Sequence, residues 1–137
     1  MIADPMDEPR RKTVLVVDDE PEIVAGVAAI LQAGGYAVLT ALDGEEALAK
    51  VKAERPDVII ADLMLPKLDG WRVCQRLKLN PQYRHIPFIM LSGLIREPSD
   101  PDEMSLGDAL LPKPCSATTL LALVQDVLTR TRTTPPA

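Results

Sequence analysis

The chain is poor in the residues that most often carry chemistry on their own. Only two cysteines occur in 137 residues, Cys74 and Cys115, and neither sits at a metal or redox spacing; both are expected to be reduced, semi-buried thiols. The one histidine, His85, lies in a polar loop between Pro81 and Pro87, which predicts surface or loop packing. No apolar run approaches the roughly 18 residues of a membrane span. The opening "MIADPMDEPRRK" lacks the apolar core of a signal peptide, so a cytoplasmic protein is expected. Basic charge is thin as well: 15 Lys and Arg face 20 Asp and Glu, for a net charge of −5. Arg10 to Lys12 form the only dense basic run, which argues against direct nucleic-acid binding, because phosphate contacts need clustered cations. What is present, 47% apolar and 26% charged residues, describes a soluble globular domain with one core.

Residues 1–12 carry two prolines and mixed charge and read as a disordered N-terminal segment. Beyond them, short apolar runs alternate with helical patterns. "TVLVVDD" (13–19), "YAVLTA" (36–41), "DVIIAD" (57–62), "PFIMLS" (87–92) and "ALLPK" (109–113) read as strands. Helical spacing or propensity marks 22–32, 45–54, 71–79 and 116–130, with Gly34-Gly35 and Pro56 as stops. Strands without polar alternation are buried on both faces. The pattern therefore predicts a parallel sheet with helices on both sides, a single domain over 13–130, and a flexible tail or truncated linker over 131–137.

In such sheets ligands bind at the carboxyl ends of the strands, at a topological switch point. The predicted strands end on Asp18 and Asp19, on Asp62, on Ser92 and on Lys113. Adjacent carboxylates repel by roughly 4 kcal/mol at 4 Å and an effective dielectric near 20, before relaxation. A hard cation offsets that cost, and a few carboxylate oxygens with room for water and a phosphoryl group suit Mg²⁺. A carboxylate so placed can act as a nucleophile toward a phosphoryl donor and hold an acyl phosphate. Lys113 would neutralise charge, and the Ser92 hydroxyl would bond a phosphoryl oxygen.

At this point the sequence resembles the receiver domains of two-component response regulators, of the CheY-like type. The matching pieces are "VLVVDDEPE", "PDVIIADLMLPKLDG", "IMLSG" and "LLPKP", and together they span about residues 13 to 130. The resemblance implies a flavodoxin-like sheet in order 2-1-3-4-5 with five flanking helices. It implies that Asp62 accepts phosphate from a histidine kinase or histidine phosphotransfer protein and then alters a downstream partner. It also implies Mg²⁺ bound by Asp19 directly and by Asp18 through water, with Asp62 and the backbone carbonyl of Met64 as further ligands. Lys113 and Ser92 become the phosphate partner and the switch hydroxyl. Such a domain is not an enzyme beyond its own phosphoryl transfer and dephosphorylation.

Two positions depart from the family. Leu110 stands three residues before Lys113, where an aromatic switch residue is usual. Pro98 and Pro101 interrupt the stretch that should form the helix between the fourth and fifth strands. Asp100 as a cap, Pro101 at the first position, Glu103 and the stop at Gly107 predict a short helix over about 101–106. Glu20 reads as a charge favouring a helix N-terminus more than as a ligand, and Trp71 as packing. Three rival readings remain. An aspartyl phosphatase would need a second acid where Met64 stands. A nucleotide- or flavin-binding domain would need a Gly-rich turn after the first strand. A phosphorylation-independent interaction module would keep the fold and lose the chemistry.

Overall fold

A computed structural model of the chain describes residues 11–92, 109–112 and 116–133. Five parallel strands form one sheet in the order β2-β1-β3-β4-β5. They are β1 (Thr13–Val17), β2 (Ala37–Ala41), β3 (Val58–Asp62), β4 (Phe88–Ser92) and β5 (Ala109–Pro112). Four helices are described: α1 (Pro21–Ala33), α2 (Gly44–Glu54), α3 (Gly70–Lys78) and α4 (Ala117–Thr133). The short helix expected at 101–106 lies outside the described residues, as do Lys113 and Cys115. Cys74 is buried.

Alternation along the central strands builds two cores. Leu15 and Val17 of β1, with Ile59 and Ala61 of β3, pack on Val51 of α2 and on Val73 and Leu77 of α3. Val14, Val16, Val58 and Ile60 face the opposite way, onto Val24 and Leu31 of α1 and Leu120 and Val124 of α4. All eight strand residues are fully buried, which is why these strands carry no polar alternation. The helices begin where the chain offers a cap. Asp43 accepts from the Glu46 amide (2.8 Å) and Asp69 from the Arg72 amide (2.8 Å), while the Ser116 hydroxyl accepts from the Thr119 amide (3.1 Å).

Two expected boundaries move. The first strand stops at Val17 and does not run through Asp19. The Asp18 amide still donates to the Ala41 carbonyl (3.2 Å), but its own carboxylate takes the Glu20 amide (3.0 Å) and turns the chain out of the sheet. The last helix continues to Thr133, past the boundary placed at 130. Thr134 precedes Pro135, and a residue before proline is steered out of the helical region.

The β3–α3 loop is seated on the start of α2. A Cβ on Gly44 would collide with the Leu68 carbonyl and approach the Leu68 Cβ to 2.7 Å, so glycine alone lets the two segments meet. Gly26, inside α1, has nothing within 4 Å of an added Cβ. Gly44→Ala is expected to lower the unfolding free energy by about 1–3 kcal/mol, the usual cost of overpacking. Gly26→Ala should raise it by about 0.5–1 kcal/mol, since glycine inside a helix costs that much against alanine. Urea denaturation midpoints of the two variants, moving in opposite directions, check both.

Candidate phosphoryl-transfer site

Strand register gathers the predicted residues at one edge. β1 pairs with β3 through Val17 and Ala61, so Asp18 and Asp62 follow on neighbouring chains. Asp62 pairs with Leu91 of β4, which puts Ser92 one residue further toward the same edge. Ser92 pairs with Pro112 of β5, and Lys113 is the next residue in the sequence. β1 lies between β2 and β3, so the connections leaving β1 and β3 diverge at this edge, the switch point of a doubly wound sheet.

Asp18 is fully buried and Asp62 is 7% exposed; they are the buried charged residues among those described. Both are held by the same device. Asp18 Oδ1 accepts the amide of Glu20 (3.0 Å), and Asp62 Oδ1 accepts the amide of Met64 (3.1 Å). Each carboxylate is thus oriented by the backbone two residues on, where its strand gives way to a loop. Asp19 and Glu20 are exposed. One carboxylate oxygen from each of Asp18, Asp19 and Glu20 lies within 4.8 Å of the others.

This grouping differs from the set expected from sequence. Glu20 joins Asp18 and Asp19, whereas Asp62 is not part of that trio. Glu20 is the N-cap of α1 and makes no side-chain capping bond; its sequence signal was simple adjacency to two aspartates. Met64 contributes its amide to Asp62, and its side chain is 70% exposed. The donors are carboxylate oxygens, which fit a hard divalent cation such as Mg²⁺ better than a metal that prefers sulfur or imidazole. Three like charges within 4.8 Å are a repulsive arrangement that such a cation would relieve.

The loop after Asp62 is shaped by a second close approach. A Cβ on Gly70 would collide with the Asp62 carbonyl and meet the Leu63 Cα at 3.2 Å, and the Gly70 amide donates to Leu63 O (3.0 Å). Between them Lys67 adopts a left-handed conformation (φ 65) and places its ammonium 3.7 Å from Asp43. Trp71 packs against the core beside this loop. Its ring nitrogen is buried and has no hydrogen-bond partner among the described residues. His85 is exposed, far along the chain from the cluster and at the opposite ends of the strands.

A buried carboxylate pair at the switch point of a doubly wound parallel sheet defines a class of phosphoryl-accepting α/β modules, and the comparisons narrow it. Residues 14–125 match the family model of the response regulator receiver domain. The chain is 42% identical over 127 residues to the alkaline phosphatase synthesis transcriptional regulatory protein PhoP of Bacillus subtilis, covering 92% of this chain and 52% of that protein. It is 38% identical over 125 residues to the DNA-binding dual master transcriptional regulator RpaA of Synechocystis, covering 90% and 52%. Its backbone superposes on the chemotaxis response regulator CheY4 of Vibrio cholerae with a TM-score of 0.79 at 37% identity, covering 86% of this chain and 99% of that one.

The chain belongs to the response regulator receiver domains, the phosphorylation-dependent modules of two-component signalling. It spans about half the length of these curated relatives, whose roles as transcriptional regulators are those of the longer proteins. Receiver domains are signalling modules and not enzymes in the ordinary sense, and the family typically binds Mg²⁺ at an acidic pocket of this kind. No described helix is long and apolar enough to cross a membrane.

Gly70→Ala should push the loop off the Asp62 carbonyl. Expected are a loss of about 1–3 kcal/mol in unfolding free energy and amide shift changes centred on Asp62 to Met64. Changes confined to α3 would show that the contact does not position the carboxylate.

Proposed function

We propose that Asp62 is the phosphoacceptor, taking a phosphoryl group from a histidine kinase or histidine phosphotransfer protein in the cytoplasm. Phosphorylation then changes the conformation of the chain and so controls a partner or an attached output. The observation that carries the reading is the pair of buried carboxylates, Asp18 and Asp62, on neighbouring strands and each held by its own backbone amide. An oxygen of Asp62 forms the new bond to phosphorus as the bond to the donor's imidazole nitrogen breaks. Because the carboxylate is fixed before the donor arrives, little reorganisation is left for the transfer itself. Asp18, Asp19 and Asp62, with the backbone carbonyl of Met64, would hold Mg²⁺. When bound, that ion supplies charge neutralisation between the carboxylates and the incoming phosphoryl oxygens. Ser92 and Lys113 are assigned to the phosphoryl oxygens, as hydroxyl donor and ammonium partner. Leu110, in β5 opposite Met90, has no ring whose burial could report the state of Ser92. The signal is therefore assigned to a partial change of order over 94–107.

Acetyl phosphate with Mg²⁺ is expected to add one phosphoryl mass, labile to hydroxylamine, and Asp62→Asn to abolish it. Equal labelling of the variant would remove Asp62 from the account. No labelling of the unsubstituted chain would favour a phosphorylation-independent interaction module.

Asp19→Ala should weaken Mg²⁺ binding, read by Trp71 fluorescence, while leaving the metal-free fold intact or slightly more stable, because one like charge is gone. Unchanged affinity would sink the assignment of Asp19.

Met64 offers no polar group to orient an attacking water, so a comparatively long-lived acyl phosphate is expected. Met64→Asn and Met64→Glu should change its decay rate, and an unaltered rate in both would clear position 64 of any part in hydrolysis.

A further inference from the structure

Charge is segregated along the strand direction. Asp18, Asp19, Glu20, Asp43, Glu45, Glu46, Asp62 and Asp69 lie at the carboxyl ends of the strands or the adjoining helix starts. Among the described residues, Lys67 and Arg72 are cations of that edge, each within 4 Å of an aspartate. At the other end, Lys52 and Arg55 close α2, Arg76 and Lys78 close α3, Arg84 and His85 lead into β4, and Lys12 precedes β1. Among the described residues the acids of this end include Glu54 and Asp57, and the Asp57 carboxylate is engaged by the Thr13 amide (2.7 Å).

Two hollows open in this basic end. One, of about 170 Å³, has Lys12, Arg55 and His85, together with the acid Asp57, around an apolar floor that includes Ile86, Pro87 and Leu128. The other, of about 390 Å³, has Lys52 and Arg76 beside Leu48, Leu77 and Tyr83. Arg55 joins them: it lines the first, and its guanidinium stands 5.9 Å from the ring centroid of Tyr83, which lines the second. Arg55 also holds a left-handed backbone (φ 46) at the C-cap of α2, a position where glycine or asparagine is the ordinary occupant.

The geometry points to the chain's own N-terminal segment as the occupant, and we propose that residues 1–10 dock across these two hollows. The segment "MIADPMDEPR" enters the described structure at Arg11, next to Lys12 on the rim of the first hollow. Ten residues reach up to about 33–36 Å when extended, enough to pass Lys12, Arg55 and Tyr83 in turn. Its chemistry is complementary: Asp4, Asp7 and Glu8 meet a cationic rim, and Ile2 and Met6 meet an apolar floor. The segment thereby covers apolar surface at the end opposite the phosphoryl-transfer site.

The test uses the 137-residue chain and its amide resonances. Asp4→Asn/Asp7→Asn/Glu8→Gln should shift residues 48–55 and 76–86, dozens of positions away in sequence, and should leave 58–64 unmoved. Raising the salt concentration should reproduce the same shifts in the unsubstituted chain and have little further effect in the variant. Lys52→Glu/Arg76→Glu should move the resonances of residues 2–8. Shifts confined to residues 3–13 in the first variant would overturn the proposal. So would long-range shifts that fade on dilution in step with a monomer–dimer equilibrium, which would make a second copy the source of the segment.

Discussion

Two buried carboxylates on neighbouring parallel strands constrain everything else at the working edge of this domain. Asp62 is the last residue of β3 and Asp18 the first residue after β1, and each spends an oxygen on the amide two residues ahead. That bond stops the strand and aims the group together. A buried carboxylate is costly in a low-dielectric setting unless it is hydrogen-bonded, and these amide bonds meet part of that need. The rest of the edge is an accommodation to this pair: Gly70 gives the backbone room to pass the Asp62 carbonyl, and Gly44 gives the returning loop a seat on α2.

The seat matters for how a local change could spread. The 63–69 segment is pinned twice near its C-terminal end, by Gly70 against β3 and by Leu68 against Gly44, with Lys67 reaching Asp43. The ion pair is largely exposed and adds little by itself. The two backbone contacts do the coupling, because close-packed surfaces transmit displacement where solvated charges do not. A shift at Asp62 is thus felt first at the start of α2 and the start of α3.

Most of the fold was legible in the sequence because its signals are local. Uninterrupted apolar runs such as "VLVV" and "VII" mark strands buried on both faces, and aspartate or serine caps mark the helix starts. Register was not legible, since nothing in "VLVVDD" or "VIIAD" says that Val17 lies opposite Ala61. The site was readable as a list of strand-end residues and not as a geometry. Glu20 was assigned to the helix terminus and is the N-cap of α1, but adjacency could not tell that its carboxylate also lies within 4.8 Å of those of Asp18 and Asp19. The contact of Gly70 with Asp62 was hidden behind an ordinary Asp-Gly turn. The basic end escaped notice because its cations are scattered from Lys12 to Arg84 and only the fold collects them.

That collection has a consequence for encounters at a distance. A body with net charge −5 would be repelled by any anionic surface if its charge were evenly spread. The described residues carry acid at one end and base at the other, so their charges contribute an electric moment along the strands, and an approaching charged body exerts a torque as well as a net force. Within a Debye length of about 8–10 Å at ordinary ionic strength, an anionic surface turns the phosphoryl-transfer edge away, and a cationic one turns it inward. Orientation before contact raises the fraction of collisions that are productive, an effect that fades as salt is added.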